Sequence, residues 1–498
     1  MPLETELKLA LPARFAVRAA RHPAIEHVAT HPAEVAHLIS IYYDTPKFDL
    51  YAAGIALRLR RGSAGWTQTV KWGGYVLGGL HQRGEFETPV PAQELNFAGL
   101  KPPELAAVFA PASVRKRLKP VFLTEFDRIS RLLHIGDSGV QFSVDRGAIV
   151  SGTAREPICE LELELLGGDV AVLFDLAARM QAELPLRPFN RSKAERGYAL
   201  AGQRKAPVKA AAVTLTHEMS VAESASRILA SGLEQLQANE HGMLLGQNPE
   251  FLHQIRVAVR RLRSALGAYS GVLPSDPFDV FKAELKWLGA RLGSARDWDV
   301  FLTESLPPLQ RECQEDAVLQ GLGRSAQGAR ERANSAARSA VRSRRYARLI
   351  LNLGCIVATS AWQQRATDGA EPVLPFVTKL LERRYIKVVK RAGKLNKQGP
   401  AQLHALRISI KKLRYAFESF ATLFPGVRAK SFRARLAGLQ ASLGAINDAA
   451  NMQRLTQLTA QAQTLRAFVA GWNARIVHEE RERLRELWRG LRRAHKFW

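Results

Sequence analysis

The stretch His253-Gln-Ile-Arg-Val-Ala-Val-Arg-Arg-Leu-Arg263 returns 151 residues later as His404-Ala-Leu-Arg-Ile-Ser-Ile-Lys-Lys-Leu-Arg414. Pro274, Leu292-Gly293 and Asp297 recur at the same offset, without a gap, as Pro425, Leu443-Gly444 and Asp448. A repeat of this kind constrains the C-terminal part to two related helical bundles with an approximate twofold relation. At 100° per residue, His253, Arg256, Arg260 and Arg263 share an arc of roughly 80°, and Ile255, Val259, Leu262 and Leu266 lie on the other side. His404, Arg407, Lys411 and Arg414 stand in the same way against Leu406, Ile410, Leu413 and Phe417. One basic stripe is ordinarily a solvated face. Two stripes in register are different, because crowded like charges gain most when an anion lies across them.

The first two hundred residues have another period. Leu7 and Leu9 alternate with Glu6 and Lys8, Leu57 and Leu59 with Arg58 and Arg60, and Val140, Phe142 and Val144 with Gln141, Ser143 and Asp145. Each pattern predicts a strand with one apolar and one charged or polar face. Further strands are expected around Thr67–Lys71, Arg83–Glu87, Phe122–Leu133 and Ile158–Leu165, with a helix over Ala171–Leu184. The glycine pairs Gly73-Gly74, Gly78-Gly79 and Gly167-Gly168 mark turns. The expected class is therefore α+β, with a strand-rich N-terminal domain at 1–202, a Lys-, Ala- and Pro-rich linker at 203–213, and a helical domain at 214–480. Its repeats are placed at about 214–350 and 370–480, and 481–498 is read as a C-terminal helical extension.

Charge divides at the same place. Of 72 Lys and Arg against 46 Asp and Glu, residues 1–203 hold 24 against 22, which leaves 48 against 24 for residues 204–498. The excess of +26 belongs almost wholly to the helical part, which calls for an acidic partner. Nucleic acid fits poorly as a specific partner, because few aromatics punctuate the basic stripes. Cys159, Cys313 and Cys355 are too widely spaced for a metal knuckle or disulfide framework, which suits a reducing cytoplasm. The longest apolar run, Leu349–Ala358, falls short of a bilayer span, so no membrane role is expected.

If the alternating strands close into an antiparallel barrel, their charged faces can point inward. Glu4, Glu6, Asp145, Glu160, Glu162 and Glu164 then supply acids to hold divalent metal, and Lys8, Arg58, Arg60, Lys71, Arg83 and Arg128 supply bases to hold polyphosphate. No Cys nucleophile pair, His-rich cluster or Gly-x-Ser-x-Gly elbow competes for the chemistry.

Glu4-x-Glu6-x-Lys8, Ile41-Tyr-Tyr-Asp-Thr45, Gly54-Ile-Ala-Leu-Arg-Leu-Arg60, Thr69-Val-Lys71, Gly79-Leu-His-Gln-Arg-Gly-Glu85, Glu156-Pro-Ile-Cys-Glu-Leu-Glu-Leu-Glu164 and Ser192-Lys-Ala-Glu-Arg-Gly-Tyr198 resemble, in order, the motifs of the CYTH family of triphosphate tunnel metalloenzymes. The resemblance implies an eight-stranded antiparallel tunnel with flanking helices, a requirement for Mg²⁺ or Mn²⁺, and hydrolysis of inorganic triphosphate, as in bacterial inorganic triphosphatases. It implies catalytic roles for Glu4, Glu6, Lys8, Lys71 and Asp145. Phosphate contacts fall to Lys8, Arg58, Arg60, Lys71, Arg83, Arg128 and Lys193, and metal contacts to Glu4, Glu6, Asp145, Glu160, Glu162 and Glu164. Which of Glu160, Glu162 and Glu164 bind metal is left open, since alternate positions on a strand share a face. Glu85 and Glu87 are equally unseparated.

His253-x-x-Arg-Val-x-x-Arg-Arg-Leu-Arg263, Leu292-Gly-Ser-Ala-Arg-Asp-x-Asp-Val300 and their second copies resemble the CHAD family of conserved-histidine helical domains. That resemblance implies binding of long-chain inorganic polyphosphate and association with cytoplasmic polyphosphate granules. Contacts would come from His253, Arg256, Arg260, Arg261, Arg263, His404, Arg407, Lys411, Lys412 and Arg414. Asp297 and Asp448 are expected to cap or orient helices. Two alternatives stay open: a polyphosphate-binding, granule-associated protein without turnover, and a thiamine or nucleoside triphosphatase.

Overall fold

The computed structural model describes residues 3–63, 65–98, 100, 102–246, 248–312, 317–393, 395, 398–459 and 463–498; Cys313 lies outside them. Two compact units form. One comprises Met1–Ala206 with Ser343–Thr359, the other Pro207–Arg342 with Ser360–Trp498.

The first unit is built on β1 (Leu3–Ala10), β2 (Glu34–Asp44), β3 (Ile55–Gly62), β4 (Gly65–Leu77), β5 (Leu80–Val90), β6 (Lys119–Ile135), β7 (Ser138–Ser151) and β8 (Ala154–Gly167). They pair antiparallel in the order β5-β4-β3-β2-β6-β7-β8-β1, and β1 pairs again with β5, which closes an eight-stranded barrel. The short β9 (Arg187–Pro188) adds to β1.

Alternation turns the usual arrangement inside out. Leu7, Leu9, Phe142, Val144, Leu161 and Leu163 face outward and are buried beneath helix Ala171–Glu183. Leu57, Leu59 and Val70 are covered by Leu105 and Phe109, whereas Phe122, Phe126 and Ile158 lie on the inward side of their strands, in register with Tyr42, Leu38 and Gly147, and pack against Tyr198. Each buried large apolar side chain contributes about 1.5–3 kcal/mol. This covered exterior offsets the cost of lining the interior with charge. Closure also removes the unpaired edges that an open sheet would present.

The boundary expected for the first helical repeat, at 350, is corrected by helix Arg344–Thr359. Its Leu351 enters the barrel's outer core beside Leu173, Phe174 and Leu176. Gly354 meets the β4–β5 turn so closely that a Cβ on Gly78 would stand 2.4 Å from the Gly354 Cα. Gly78 also has φ +65°, so glycine is required there on two counts. Its neighbour Gly79 accepts a 2.8 Å hydrogen bond from the Lys8 backbone N–H. The helix thus backs a turn that fixes a strand of the barrel.

In the second unit, helices Val221–Ala238, Pro249–Ala268, Ser275–Val300 and Ala317–Arg342 pack in sequence, as do Val373–Ala392, Pro400–Ser419, Val427–Thr459 and Gln463–Arg492. The repeated helices Pro249–Ala268 and Pro400–Ser419 touch each other. Each begins with proline in its first turn, where the missing N–H costs no hydrogen bond. Their apolar faces bury Ile255, Val259, Leu262, Leu266, Leu406, Ile410, Leu413 and Phe417.

The expected break at 480 also moves, because Gln463–Arg492 is continuous and buries Leu484 and Leu491 beyond it. Phe497 and Trp498 then join Phe417 and Phe432 in an aromatic cluster. The linker is tethered within the second unit: Asn239 exchanges hydrogen bonds with the Val208 backbone, and Val213 and Leu215 are buried. No described helix is long and apolar enough to cross a membrane.

Candidate active site and anion surface

Strand register brings the lumen together. Lys8 lies opposite Glu162 and Glu6 opposite Glu164 across β1 and β8; Glu4 lies opposite Arg83 across β1 and β5. Lys71 faces Glu85, Thr69 stands between Arg58 and Glu87, and Arg128 faces Asp145. The resulting cavity, about 160 Å³, is lined by Glu4, Glu6, Lys8, Arg58, Arg60, Lys71, Arg83, Arg128, Glu162, Glu164 and Lys193 among the expected residues. Asp145 and Glu160 lie behind this lining and are fully buried.

Tyr42, Thr69 and Ser192 are lining residues that sequence reasoning did not single out, although each occurs in a quoted motif. Ser192 caps helix Lys193–Leu200 by accepting the Glu195 N–H, which sets Lys193 at the lumen. Asp44 of the Tyr-Tyr-Asp-Thr motif instead fastens the end of β2, accepting the Leu50 and Tyr51 N–H groups.

The charges separate into two faces. On one, Arg58, Arg60 and Arg128 crowd together. Burial, with Arg58 and Arg128 beside it, pushes Arg60 down to about 10. The buried Nε of Arg58 has no hydrogen-bond partner among the described residues. Burial opposes ionisation of the Tyr42 hydroxyl, yet Arg58 and Arg60 outweigh it and hold that group below the usual phenol range.

On the other face stand Glu4, Glu6 and Glu164. Burial raises Glu4 to about 7, reinforced by Glu6 and Glu85 and opposed by Lys71, whose Nζ lies 2.5 Å from a Glu4 oxygen. Glu6 moves the other way, to about 2, because Lys8 at 3.0 Å outweighs its burial. Burial and the Glu6 carboxylate push Glu164 up. Two carboxyls raised chiefly by burial thus flank an ionised one on the cavity wall.

Two acidic groupings fit a cation by different criteria. Asp145, Glu160 and Glu162 bring ligand oxygens within 4.8 Å of one another, the tighter geometry. However, Lys193 Nζ already sits among them, at 2.6, 2.5 and 3.0 Å. Arg128 grips Asp145 through two 2.7 Å hydrogen bonds, and Arg196 pairs with Glu160 at 2.9 Å. Their charge is satisfied by protein, and Lys193, Lys8 and Arg128 overcome burial to hold Glu162 well below the carboxylate range. Glu4, Glu6 and Glu164 are a second donor set on the cavity wall, with Glu4 paired to Lys71 and Glu6 to Lys8.

The helical unit gathers a second constellation. Arg256, Arg260, Arg407 and Lys411 act on one another electrostatically, together with Asp297 and Asp448. Burial, then Arg407 and Arg260, push Lys411 down to about 7. The buried Nε atoms of Arg260 and Arg407 have no partner among the described residues. Arg256 donates to the Leu292 and Gly293 carbonyls at 2.9 and 2.5 Å.

The remaining basic residues are placed differently. Arg261 points to the neighbouring helix and donates to Gln235 and Ser231; Arg414 pairs with Glu418; His404 and Lys412 line a separate cleft. His253 is half-buried beside Arg296, and burial lowers it. Arg263 is exposed near Gly289. Asp297 and Asp448 lie inside helices, not at their starts, so neither is a cap; Asp297 accepts Arg454 at 3.3 Å.

A closed antiparallel barrel with a charged lumen is thus followed in the chain by a repeated basic helical array. The chain belongs to the CYTH and CHAD families: the CYTH domain model matches residues 2–198 and the CHAD domain model residues 227–457. The crystal structure of the CHAD domain from the plant Ricinus communis is 32% identical with a TM-score of 0.52, covering 59% of this chain and 99% of that one. An inorganic triphosphatase of Haemophilus influenzae is 32% identical over 205 residues, 40% of this chain and 56% of that relative, so the match spans little more than half of its length. An uncharacterized protein of Mycobacterium tuberculosis is 27% identical over 422 residues, covering 79% of this chain and 77% of that protein.

Proposed function

We propose that the tunnel unit hydrolyses the terminal phosphoanhydride of inorganic triphosphate with Mg²⁺ or Mn²⁺, and that the helical unit binds long-chain inorganic polyphosphate. The observation that carries the first part is that one small lumen brings together a crowded guanidinium face and a face of buried carboxylates. A triphosphate's nonbridging oxygens complement the first face, and a divalent cation complements the second. The named triphosphatase activity of the Haemophilus relative supports the same reading for this domain.

Arg58, Arg60 and Arg128 would hold the phosphoryl oxygens, with Lys8 and Lys71 at the boundary between the faces. Glu4, Glu6 and Glu164 would hold the metal, which supplies charge neutralisation at the phosphoryl oxygens and polarisation of water. Water attacks the terminal phosphorus as the bond to the bridging oxygen breaks; its proton passes to a lumen carboxylate, and diphosphate leaves against the arginines. Tyr42 and Thr69 would orient the substrate through their hydroxyls.

For the helical unit, the carrying observation is a pair of buried guanidinium nitrogens, in Arg260 and Arg407, without hydrogen-bond partners. Buried donors of this kind cost about 1–3 kcal/mol until an acceptor arrives. A flexible chain of phosphates can supply acceptors to Arg256, Arg260, Arg407 and Lys411 together. Tethering such a polymer would place the protein on cytoplasmic polyphosphate granules.

Phosphate release from tripolyphosphate, ATP and thiamine triphosphate, with Mg²⁺, Mn²⁺ or chelator, tests the catalytic half. Metal-dependent release that favours tripolyphosphate supports it, and no release with either metal leaves a binding protein. Competition between polyphosphate and DNA over a salt series tests the other half, with Arg260→Glu/Lys411→Glu as the disabled partner. Stronger retention of DNA would sink the polyphosphate assignment.

A further inference from the structure

Helices Val373–Ala392 and Pro400–Ser419 frame a cleft of about 200 Å³ lined by Arg384, Lys387, Arg391, His404 and Lys412, whose wall within the cleft is mostly apolar. No carboxylate lines it among the described residues. Two of the guanidinium groups are braced: Arg384 donates to the Lys412 carbonyl at 2.6 Å, and Arg391 to the Ala405 carbonyl and Ser409 hydroxyl at 2.8 and 2.7 Å. Burial, with Lys387, Arg384, Arg391 and Arg263 around it, holds the Lys412 ammonium below its usual range. Such crowding is unfavourable unless a negative group lies among the charges.

The first repeat shows that the fold does not require this charge. Buried Val221, Ala225, Ile228, Leu229, Leu233 and Leu236 correspond, at an offset of 152, to buried Val373, Val377, Leu380, Leu381, Tyr385 and Val388. The same alignment sets Gly232 against Arg384, Gln235 against Lys387 and Asn239 against Arg391. In the first repeat, Arg261 donates to Gln235 and Ser231, and Asn239 binds the Val208 backbone. One half of the molecule therefore satisfies this position internally. The other half places three cations there against a fourth.

We propose that the cleft is a second phosphoryl-binding site, taking a segment of the same polyphosphate chain that lies across Arg260, Arg407 and Lys411. The proposal rests on the reading of the helical unit as a polyphosphate binder. Lys411 and Lys412 are neighbours on one helix and serve the two sites from adjacent positions. The repeats are consequently unequal: both contribute to the central cluster, but only the second carries the lateral site. Long chains gain by engaging both sites, and a short chain gains much less.

The test uses the full chain carrying Glu6→Ala, with binding of long-chain polyphosphate and of diphosphate measured over a salt series. Lys387→Gln/Arg391→Asn installs the residues that the first repeat already accommodates, and Arg407→Ala disables the central cluster. The expected result for the double variant is about a 10-fold loss of long-chain affinity, a shallower salt dependence and less than a twofold change for diphosphate. An unchanged circular dichroism spectrum would assign that loss to the site. Unaltered long-chain binding in the double variant, beside a loss in Arg407→Ala, would overturn the lateral site while keeping the polyphosphate reading. Equal loss of diphosphate and long-chain binding would instead identify a separate small-phosphate site and overturn the shared chain. No polyphosphate binding by the parent protein would overturn both readings.

Discussion

The tunnel and the helical array both concentrate positive charge, but they balance it by opposite means. In the tunnel, the lysines and arginines stand against carboxylates of the same wall, as Lys193 does with Asp145, Glu160 and Glu162. In the helical unit, Arg256, Arg260, Arg407 and Lys411 outnumber Asp297 and Asp448. A lumen balanced by its own residues is formed before substrate arrives, as catalysis requires. A surface with surplus buried charge is completed by its ligand, as retention of a polyanion requires. On the proposed function, one region would be organised for turnover and the other for holding.

The largest effect should come from removing a carboxylate on the carboxylate face of the lumen. Glu6→Ala is expected to lower kcat/KM for tripolyphosphate by about 10³-fold or more, since it removes a charge expected to hold metal, a loss comparable to that of a key electrostatic group. Polyphosphate binding should stay within about twofold. Comparable losses of both would break the functional separation of the regions.

Lys193→Met sharpens the contrast through stability. It strips the shared ammonium from three buried carboxylates, and breaking a buried ionic group in this way costs about 3–5 kcal/mol. Chemical denaturation at pH 7 in chelator should show that loss, and the deficit should shrink in acid as the stranded carboxyls take up protons. A loss below about 1 kcal/mol would show that water reaches these groups.

The next effect belongs to the helical unit and has a defined sign. Lys411 is held down to about 7 in the free protein, and a bound polyanion favours its charged form. Affinity should therefore be fullest below pH 7 and fall above it, by up to about 10-fold per pH unit until the pKa of the bound lysine is passed. Titration of polyphosphate binding from pH 6 to 9 measures this, and Lys411→Arg should flatten the curve. A flat wild-type curve would place the ligand away from Lys411.

What could be read from the sequence depended on where charge alternates. Glu4-Thr5-Glu6-Leu7-Lys8 announces its two faces because the lumen side is ionised. β2 gives no such signal: Ser40 and Tyr42 take its lumen side, while Ile41 and Tyr43 enter the outer core, so the run reads as uniformly apolar. The basic stripes were visible through repetition, but the division of labour within them was not. Arg261 adjoins Arg260 in sequence but lies about 100° further round the helix, where it meets Gln235 of helix Val221–Ala238. Arg384, Lys387 and Arg391 carried no sequence signal of their own, since only the pairing of two helices makes them a cleft. The destination of Leu349–Ala358 was equally hidden, since an apolar helix face does not specify which core it enters.

That helix sets the subtlest prediction, and it tests how independent the two regions are. Chain flanking Arg344–Thr359 on both sides belongs to the helical unit, yet Gly354 supports the turn whose Gly79 carbonyl binds the Lys8 N–H. A Cβ on residue 354 would lie 2.7 Å from the Gly78 Cα, so Gly354→Ala forces backbone to move. The expected cost is about 1–3 kcal/mol of stability, as for overpacking of a filled core. Displacement of the turn should also alter Lys8, giving a several-fold rise in KM for tripolyphosphate while polyphosphate affinity holds. Asn352→Ala, on the exposed side of the same helix, should change neither. An unchanged KM in a destabilised Gly354→Ala protein would mean that the helix supports the barrel without positioning Lys8. A raised KM would mean that a segment threaded between the two helical repeats helps shape the tunnel.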